Sequence, residues 1–142
     1  ILVENHSTRV LDPQKSFLNY EQQHLKHPVV VLDQPLRRAV LEAIIEHCAW
    51  EKWRLFAAHV RSNHTHVLVC SERPADKVMS SLKAWGTRKI RQSGCNLNKV
   101  WTRHGSTNYI FTKPKLLEKV HYIVYEQGEM TEYYIDSSLN PS

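Results

Sequence analysis

The chain has 142 residues, 42% of them hydrophobic, and carries a net charge of +5. That is enough apolar material for one domain with a real core, spanning 1–142, and no apolar run approaches the roughly eighteen residues of a membrane span. Its cysteines, Cys48, Cys70 and Cys95, are odd in number and form no CxxC pair, which argues against a disulfide framework and a four-cysteine zinc site. No apolar signal segment follows a charged start, so the expected setting is reducing and cytoplasmic.

Taken in chain order, residues 1–32 read mostly as loop, with Val29–Leu32 as a short β-branched run. From Leu36 to Cys48 the positions Leu36, Val40, Leu41, Ile44, Ile45 and Cys48 follow helical spacing. Asp33 suits the N-cap and Pro35 the first turn. Trp53–Val60 and His64–Cys70 read as two strands joined by the turn-like Arg61-Ser62-Asn63, a hairpin. Pro74 opens a second helix to about Arg91, with Val78, Met79, Leu82 and Trp85 on one side. After a Gly-containing loop, Val100–Arg103 and Asn108–Phe111 look like short strands. The last helix starts near Thr112 and stops at Gly128, with Leu116, Leu117, Val120, Ile123 and Val124 as its apolar stripe. Residues 130–142 read as a frayed polar tail. Helices inserted among antiparallel strands predict an α+β fold, with the helices packed on one face of the sheet.

Charge is segregated along the chain. Between Arg73 and Lys119 there are eleven Lys and Arg against Asp76 and Glu118, whereas the remainder is net acidic. A concentration of positive charge of this kind is the footprint of a phosphate-backbone binder or of a solvated basic face. Lys77, Lys83, Arg88, Arg91 and Arg103 are the candidate phosphate contacts. Helical spacing puts Lys77, Arg88 and Arg91 together, opposite the apolar side of the second helix.

Two features carry chemistry. His64-Thr65-His66 lies in a predicted strand, where side chains alternate, so both imidazoles leave the same face roughly 7 Å apart. Two neutral imidazoles so placed can grip a divalent ion when a third ligand arrives from elsewhere, although HxH alone also describes an ordinary pair of strand histidines. The second feature is Tyr122, almost opposite the apolar stripe of its helix at about 100° per residue. Glu126 shares its face, while Gln127 falls toward the apolar side at the helix end. A tyrosine can attack a phosphodiester when a metal polarises the phosphate. His59, on the partner strand, reads as structural, and Trp85 and Trp101 as core rather than base-stacking platforms.

The stretch Asn63-His64-Thr65-His66-Val67-Leu68-Val69 resembles the asparagine-plus-HUH signature of the single-tyrosine HUH transposases, the insertion-sequence-200-like group of mobile elements, and most closely the REP-associated tyrosine transposases. Leu82-Lys83-Ala84-Trp85, Val100-Trp101 and Tyr122-Ile123 resemble the motifs that follow in that family, in the same order. The resemblance covers roughly residues 36–130. It implies a ferredoxin/RRM-like antiparallel sheet with the catalytic tyrosine on the C-terminal helix. It makes Tyr122 the nucleophile and His64 and His66 ligands of Mg²⁺ or Mn²⁺. The family's third ligand sits four residues after the tyrosine, at Glu126, which is the preferred reading, with Gln127 beside it if the helix end is distorted. The implied activity is cleavage and rejoining of single-stranded DNA beside a hairpin, through a 5′-phosphotyrosine, and many members are homodimers. Thr65 departs from the hydrophobic residue usual between the histidines, and the family's first, central strand is not evident here.

Two rivals stand beside this reading. HxH also resembles the opening motif of the amidohydrolases, but their barrel needs about 250 residues. A nucleic-acid-binding module of the same fold, with a relic site, is the other, favoured by the absence of a readable first strand.

Overall fold

The computed structural model describes residues 18–22, 31–95, 100–101 and 105–139, with residues 18–22 and Ser106 described by their backbone alone. Five strands form one antiparallel sheet in the order β4-β1-β3-β2-β5. They are β1 (Leu18–Gln22), β2 (Arg54–Val60), β3 (Thr65–Cys70), β4 (Gly105–Asn108) and β5 (Glu132–Ile135), with helices α1 (Gln34–Glu51), α2 (Ala75–Gln92) and α3 (Lys113–Tyr125) between them. Among the described residues no helix is long and apolar enough to cross a membrane.

The helices form where the spacing predicts them. Asp33 caps α1, its carboxylate accepting from the Leu36 amide at 3.0 Å. The Thr112 hydroxyl caps α3 by accepting from Lys115 at 3.3 Å. The β2–β3 hairpin is the centre of the core: every residue of β3, and every residue of β2 after Arg54, is buried. Because strand side chains alternate, a hairpin apolar on both sides needs cover on both sides. Leu55, Ala58, Val60, Val67 and Val69 pack beneath α1 and α2. Phe56, Ala57, Leu68 and Cys70 pack against Leu116, Val120, Ile123 and Val124 of α3. A register irregularity between Leu55 and Ala57 brings Phe56 and Ala57 into the same cluster. The α+β class and the antiparallel sheet are therefore as expected, but the helices divide between its faces. The expectation of one helical face fails because β2 and β3 have no polar side to leave in water.

Two further differences concern the ends of the chain. The first strand missing from the sequence reading is β1, an interior strand that pairs with both β3 and β4 and aligns Glu21 with His66. Its sequence, Leu-Asn-Tyr-Glu-Gln, alternates over only four residues amid a polar stretch, too short a signal to stand out, and its pairing is set by the strands on either side. The rest of the predicted loop at 1–32 lies outside the described residues except 31–32, which are not helix or strand. At the other end, the predicted tail contributes β5, antiparallel to β2. Arg54 fastens it through an ion pair to Asp136 at 3.2 Å and a hydrogen bond to Ser138. The strand expected at Asn108–Phe111 ends instead at Asn108. Val100 and Trp101 are not in a strand, and Arg103 lies outside the described residues. Trp101 packs against α2, donating its indole N–H to the Lys83 carbonyl and the Thr87 hydroxyl. A Cβ on Gly86 would stand 2.7 Å from the Trp101 ring, so this helical position stays glycine.

The α3 stripe makes a direct test. Ile123 is 1% exposed, whereas Leu117, placed by spacing in the same stripe, is 42% exposed. Ile123→Ala is expected to lose about 2–5 kcal/mol of unfolding free energy and Leu117→Ala about 0.5 kcal/mol or less. Urea denaturation measures both, and equal losses would place α3 wrongly on the sheet.

Candidate functional site

The second face of the sheet carries the candidate site. His64 immediately precedes β3 and His66 lies within it. Their rings are parallel within 9° with centroids 6.2 Å apart, so the pair shares one face as the alternation predicts. Asn63 Oδ1 lies 2.8 Å from His64 Nδ1. A carboxamide oxygen only accepts, so Nδ1 carries a proton and Nε2 is the nitrogen that bears the lone pair in the neutral ring. This is the usual way an outer partner fixes the tautomer of a metal-binding histidine.

His66 is 1% exposed. Burial, reinforced by the nearby His64, His59 and Arg61, pushes its pKa down to about 3, so the ring is neutral. The donor chemistry of the pair, two imidazoles on one face with His66 held neutral, fits a divalent cation.

Tyr122 stands beside this pair. Its ring meets that of His66 edge to face, at 6.5 Å between centroids and 86° between planes. Lys119, one turn earlier, holds its ammonium 4.8 Å above the Tyr122 ring. Tyr122 and Tyr125 are equally exposed, at 37% each. Only their neighbours separate them, since Tyr125 lies against the His121 ring at 5.2 Å.

The third-ligand position is where the helix end matters. Spacing carries the helix to Gly128, but α3 stops at Tyr125, and Glu126 has φ −112° and ψ 15°. Gly128 follows with φ +85°. Leaving the helix turns the Glu126 carboxylate to His121, 3.3 Å away. Among the described residues no group of three His, Cys, Asp or Glu side chains is arranged to hold a metal, so Glu126 does not complete a set with His64 and His66. Gln127 is half-buried, and its amide nitrogen donates to the Tyr122 carbonyl at 3.4 Å. The early helix end takes both Glu126 and Gln127 off the ideal helical positions, and neither side chain is placed with the two histidines by a contact in the structure.

His59 is brought opposite His66 by the β2–β3 register, yet it is a pin rather than a donor. Its Nδ1–H donates to the Ile123 carbonyl at 2.7 Å, and its Nε2 accepts the Thr131 amide at 3.1 Å. It thereby ties the end of α3 and the approach to β5 to the centre of the sheet. Trp85 lies stacked on buried His47 at 5.0 Å, with the Arg88 guanidinium 4.8 Å over its ring.

The basic residues separate into two surfaces. Lys77, Arg88 and Arg91 are exposed on α2, as the spacing predicts, but α2 covers the face of the sheet opposite to α3. Lys83 is half-buried against the Trp101 side of α2, and burial lowers its pKa. Lys119 and Lys115, not singled out by residue pattern, line one cleft with Tyr122. Their signal was the spacing Lys115, Lys119, Tyr122, which is i, i+4, i+7 on one helical face.

Comparison with known proteins bears on the same elements. The family described as "Transposase IS200 like" matches residues 24–113, more than half of the chain. That span includes His64 and His66 and ends at the first residue of α3. No curated protein matches. Among solved structures, a REP-associated tyrosine transposase bound to a REP hairpin has the same fold, with a TM-score of 0.56 and 16% identity. The match covers 77% of this chain and 64% of the length of that one.

The buried histidines give the fold a pH signature. Burial lowers the pKa of both His47 and His59 below the ordinary 6.5. On acidification the unfolded chain binds protons there before the folded chain does. The stability they confer is complete above about pH 6.5 and drains away as pH falls below it. Denaturation at stepped pH should show a loss approaching about 1.4 kcal/mol per unit for each histidine held neutral. A flat profile between pH 7.5 and about 5 would overturn their burial as neutral rings.

Proposed function

Because the chain belongs to the IS200-like transposase family, we propose that it is a DNA strand transferase which nicks single-stranded DNA through Tyr122 and a divalent cation. The observation that carries the reading is the edge-to-face approach of Tyr122 to His66, with His64 parallel beside it. In it the Tyr122 oxygen attacks the scissile phosphorus, the P–O3′ bond breaks, and the leaving oxygen takes up a proton as a free 3′-OH. The phenolic proton passes to solvent. The 5′-phosphotyrosine conserves the bond energy, so the reverse attack by a 3′-OH rejoins a strand without ATP.

His64 and His66 would hold the cation, Mg²⁺ or Mn²⁺, and the Gln127 carboxamide oxygen is the third ligand we favour. When bound, the cation polarises the phosphate oxygen and stabilises the leaving 3′ oxygen. Lys119, over the ring of Tyr122, orients it and supplies positive charge where the phosphate must lie. The substrate we propose is a single strand next to a hairpin, since the protein sharing this fold is a REP-associated transposase bound to a REP hairpin. The alternative of a binding module with a relic site leaned on a missing central strand, and β1 removes that support.

Covalent capture tests the mechanism. Labelled single-stranded DNA should remain attached to the denatured protein with Mn²⁺ present and be lost on chelation with EDTA. Tyr122→Phe is expected to abolish the adduct, while Tyr125→Phe retains it, and mass spectrometry should place the phosphate on Tyr122. An adduct in both variants would end the assignment.

The ligand choice is tested separately by manganese titration. Even outer partners of metal sites are worth about 10- to 100-fold in affinity. Gln127→Ala should therefore raise the manganese requirement at least about tenfold, and Glu126→Ala should leave it near the parent value. The opposite order would restore Glu126.

A further inference from the structure

A cleft of about 420 Å³ opens directly beside Tyr122, walled by the segment Asn108–Thr112 and the Lys115, Glu118 and Lys119 face of α3. Two features of it are unexpected on the surface of a small domain. Tyr109 and Phe111 are 46% and 40% exposed, while Ile110 between them is 6% exposed. Buried Ile110 anchors the segment in the core beneath α3, so both neighbouring rings are presented outward. They lie parallel within 11°, with centroids 6.2 Å apart. Large exposed rings held in parallel are costly to leave in water, and they match the flat face of a nucleobase.

Charge on the cleft points the same way. Its Lys and Glu side chains are Lys115, Lys119 and Glu118, and Glu118 is paired to Lys115 at 3.4 Å. Lys119 is the remaining cation, placed over the Tyr122 ring, and a nucleotide supplies one phosphate charge to complement it. An aromatic platform beside a cation is how single-stranded nucleic acid is held without base-specific hydrogen bonds.

We propose that the Tyr109–Phe111 cleft is a base-stacking subsite for a nucleotide flanking the scissile phosphate of single-stranded DNA. Its base lies on the two rings and its phosphate is directed past Lys119 toward Tyr122. This rests on the strand-transferase reading for its place next to the reacting phosphate, but the stacking itself is measurable without cleavage. Residue pattern sets Trp85 and Trp101 aside as core rather than stacking platforms; the structure packs Trp101 on α2 and places an exposed aromatic pair two residues apart just ahead of α3.

The test uses the Tyr122→Phe protein, which keeps the cleft's ring but cannot form an adduct, and a single-stranded oligonucleotide of alternating thymidine and 2-aminopurine. Binding should quench the 2-aminopurine fluorescence. Tyr109→Ala and Phe111→Ala should each weaken affinity about tenfold and reduce the quenching, while Tyr109→Phe and Phe111→Tyr preserve both. An abasic strand of the same length, with its phosphates intact, should bind the parent about as weakly as the alanine variants bind the base-bearing strand. Lys119→Ala should weaken both strands alike. Both side chains are substantially exposed, and circular dichroism with the conservative variants distinguishes lost stacking from lost folding. Unchanged affinity and quenching in the alanine variants, or an abasic strand bound as tightly as the intact one, would overturn the subsite. If those results came with a covalent adduct in the wild-type protein, the strand-transferase reading would stand without it. Stacking without any adduct would leave the subsite and remove the enzyme.

Discussion

Burial of the β2–β3 hairpin on both faces governs this molecule. A strand pair with no polar side must be covered twice, and α1 with α2 can cover only one face. α3 supplies the second layer, packing Leu116, Val120, Ile123 and Val124 over Phe56, Leu68 and Cys70. With the apolar side of α3 committed to the sheet and His59 bonded to the Ile123 carbonyl, the adjoining Tyr122 is left at the border between core and solvent. The site is thus a product of core packing, with His66 beneath Tyr122 and water beyond it.

The same packing tunes the histidines and sorts their roles. His59 and His66 face each other across the two strands and are both buried, so burial favours the neutral ring in each. Neutrality serves them differently. In His59 both nitrogens are occupied by the backbone of Ile123 and Thr131, which makes it a fastener. In His66 neutrality leaves a lone pair on a ring parallel to that of His64 and beside a tyrosine, and the donor chemistry of such a pair suits a cation. Asn63 belongs to this design, because its oxygen sets which nitrogen of His64 bears the proton.

Positive charge is divided by the sheet. The strip on α2 and the lysines on α3 occupy opposite layers, although they are continuous in the sequence. Lys119 lies over the Tyr122 ring, on the layer that carries the candidate site. The cations of α2 face outward from the other layer, away from Tyr122.

Local pattern by itself determined the parts of this protein whose physics is local. Helix and strand periodicity located α1, α2, α3 and the hairpin, because burying one helical stripe or an apolar hairpin leaves a mark every few residues. Strand alternation alone put His64 and His66 on one face, and helix geometry alone set Tyr122 apart from the apolar stripe. Tertiary structure decided the rest. Leu18–Gln22 and Glu132–Ile135 are only five and four residues long, too short for their periodicity to stand out, and become strands because a paired neighbour offers them hydrogen bonds. The end of α3 at Tyr125, which turns Glu126 to His121 and leaves Gln127 beside the Tyr122 carbonyl, depends on the chain having to return to the sheet as β5. Which basic residues share a surface with Tyr122 depended on which face of the sheet each helix came to cover, and that is a choice made by packing, to which residue spacing within a single helix is blind.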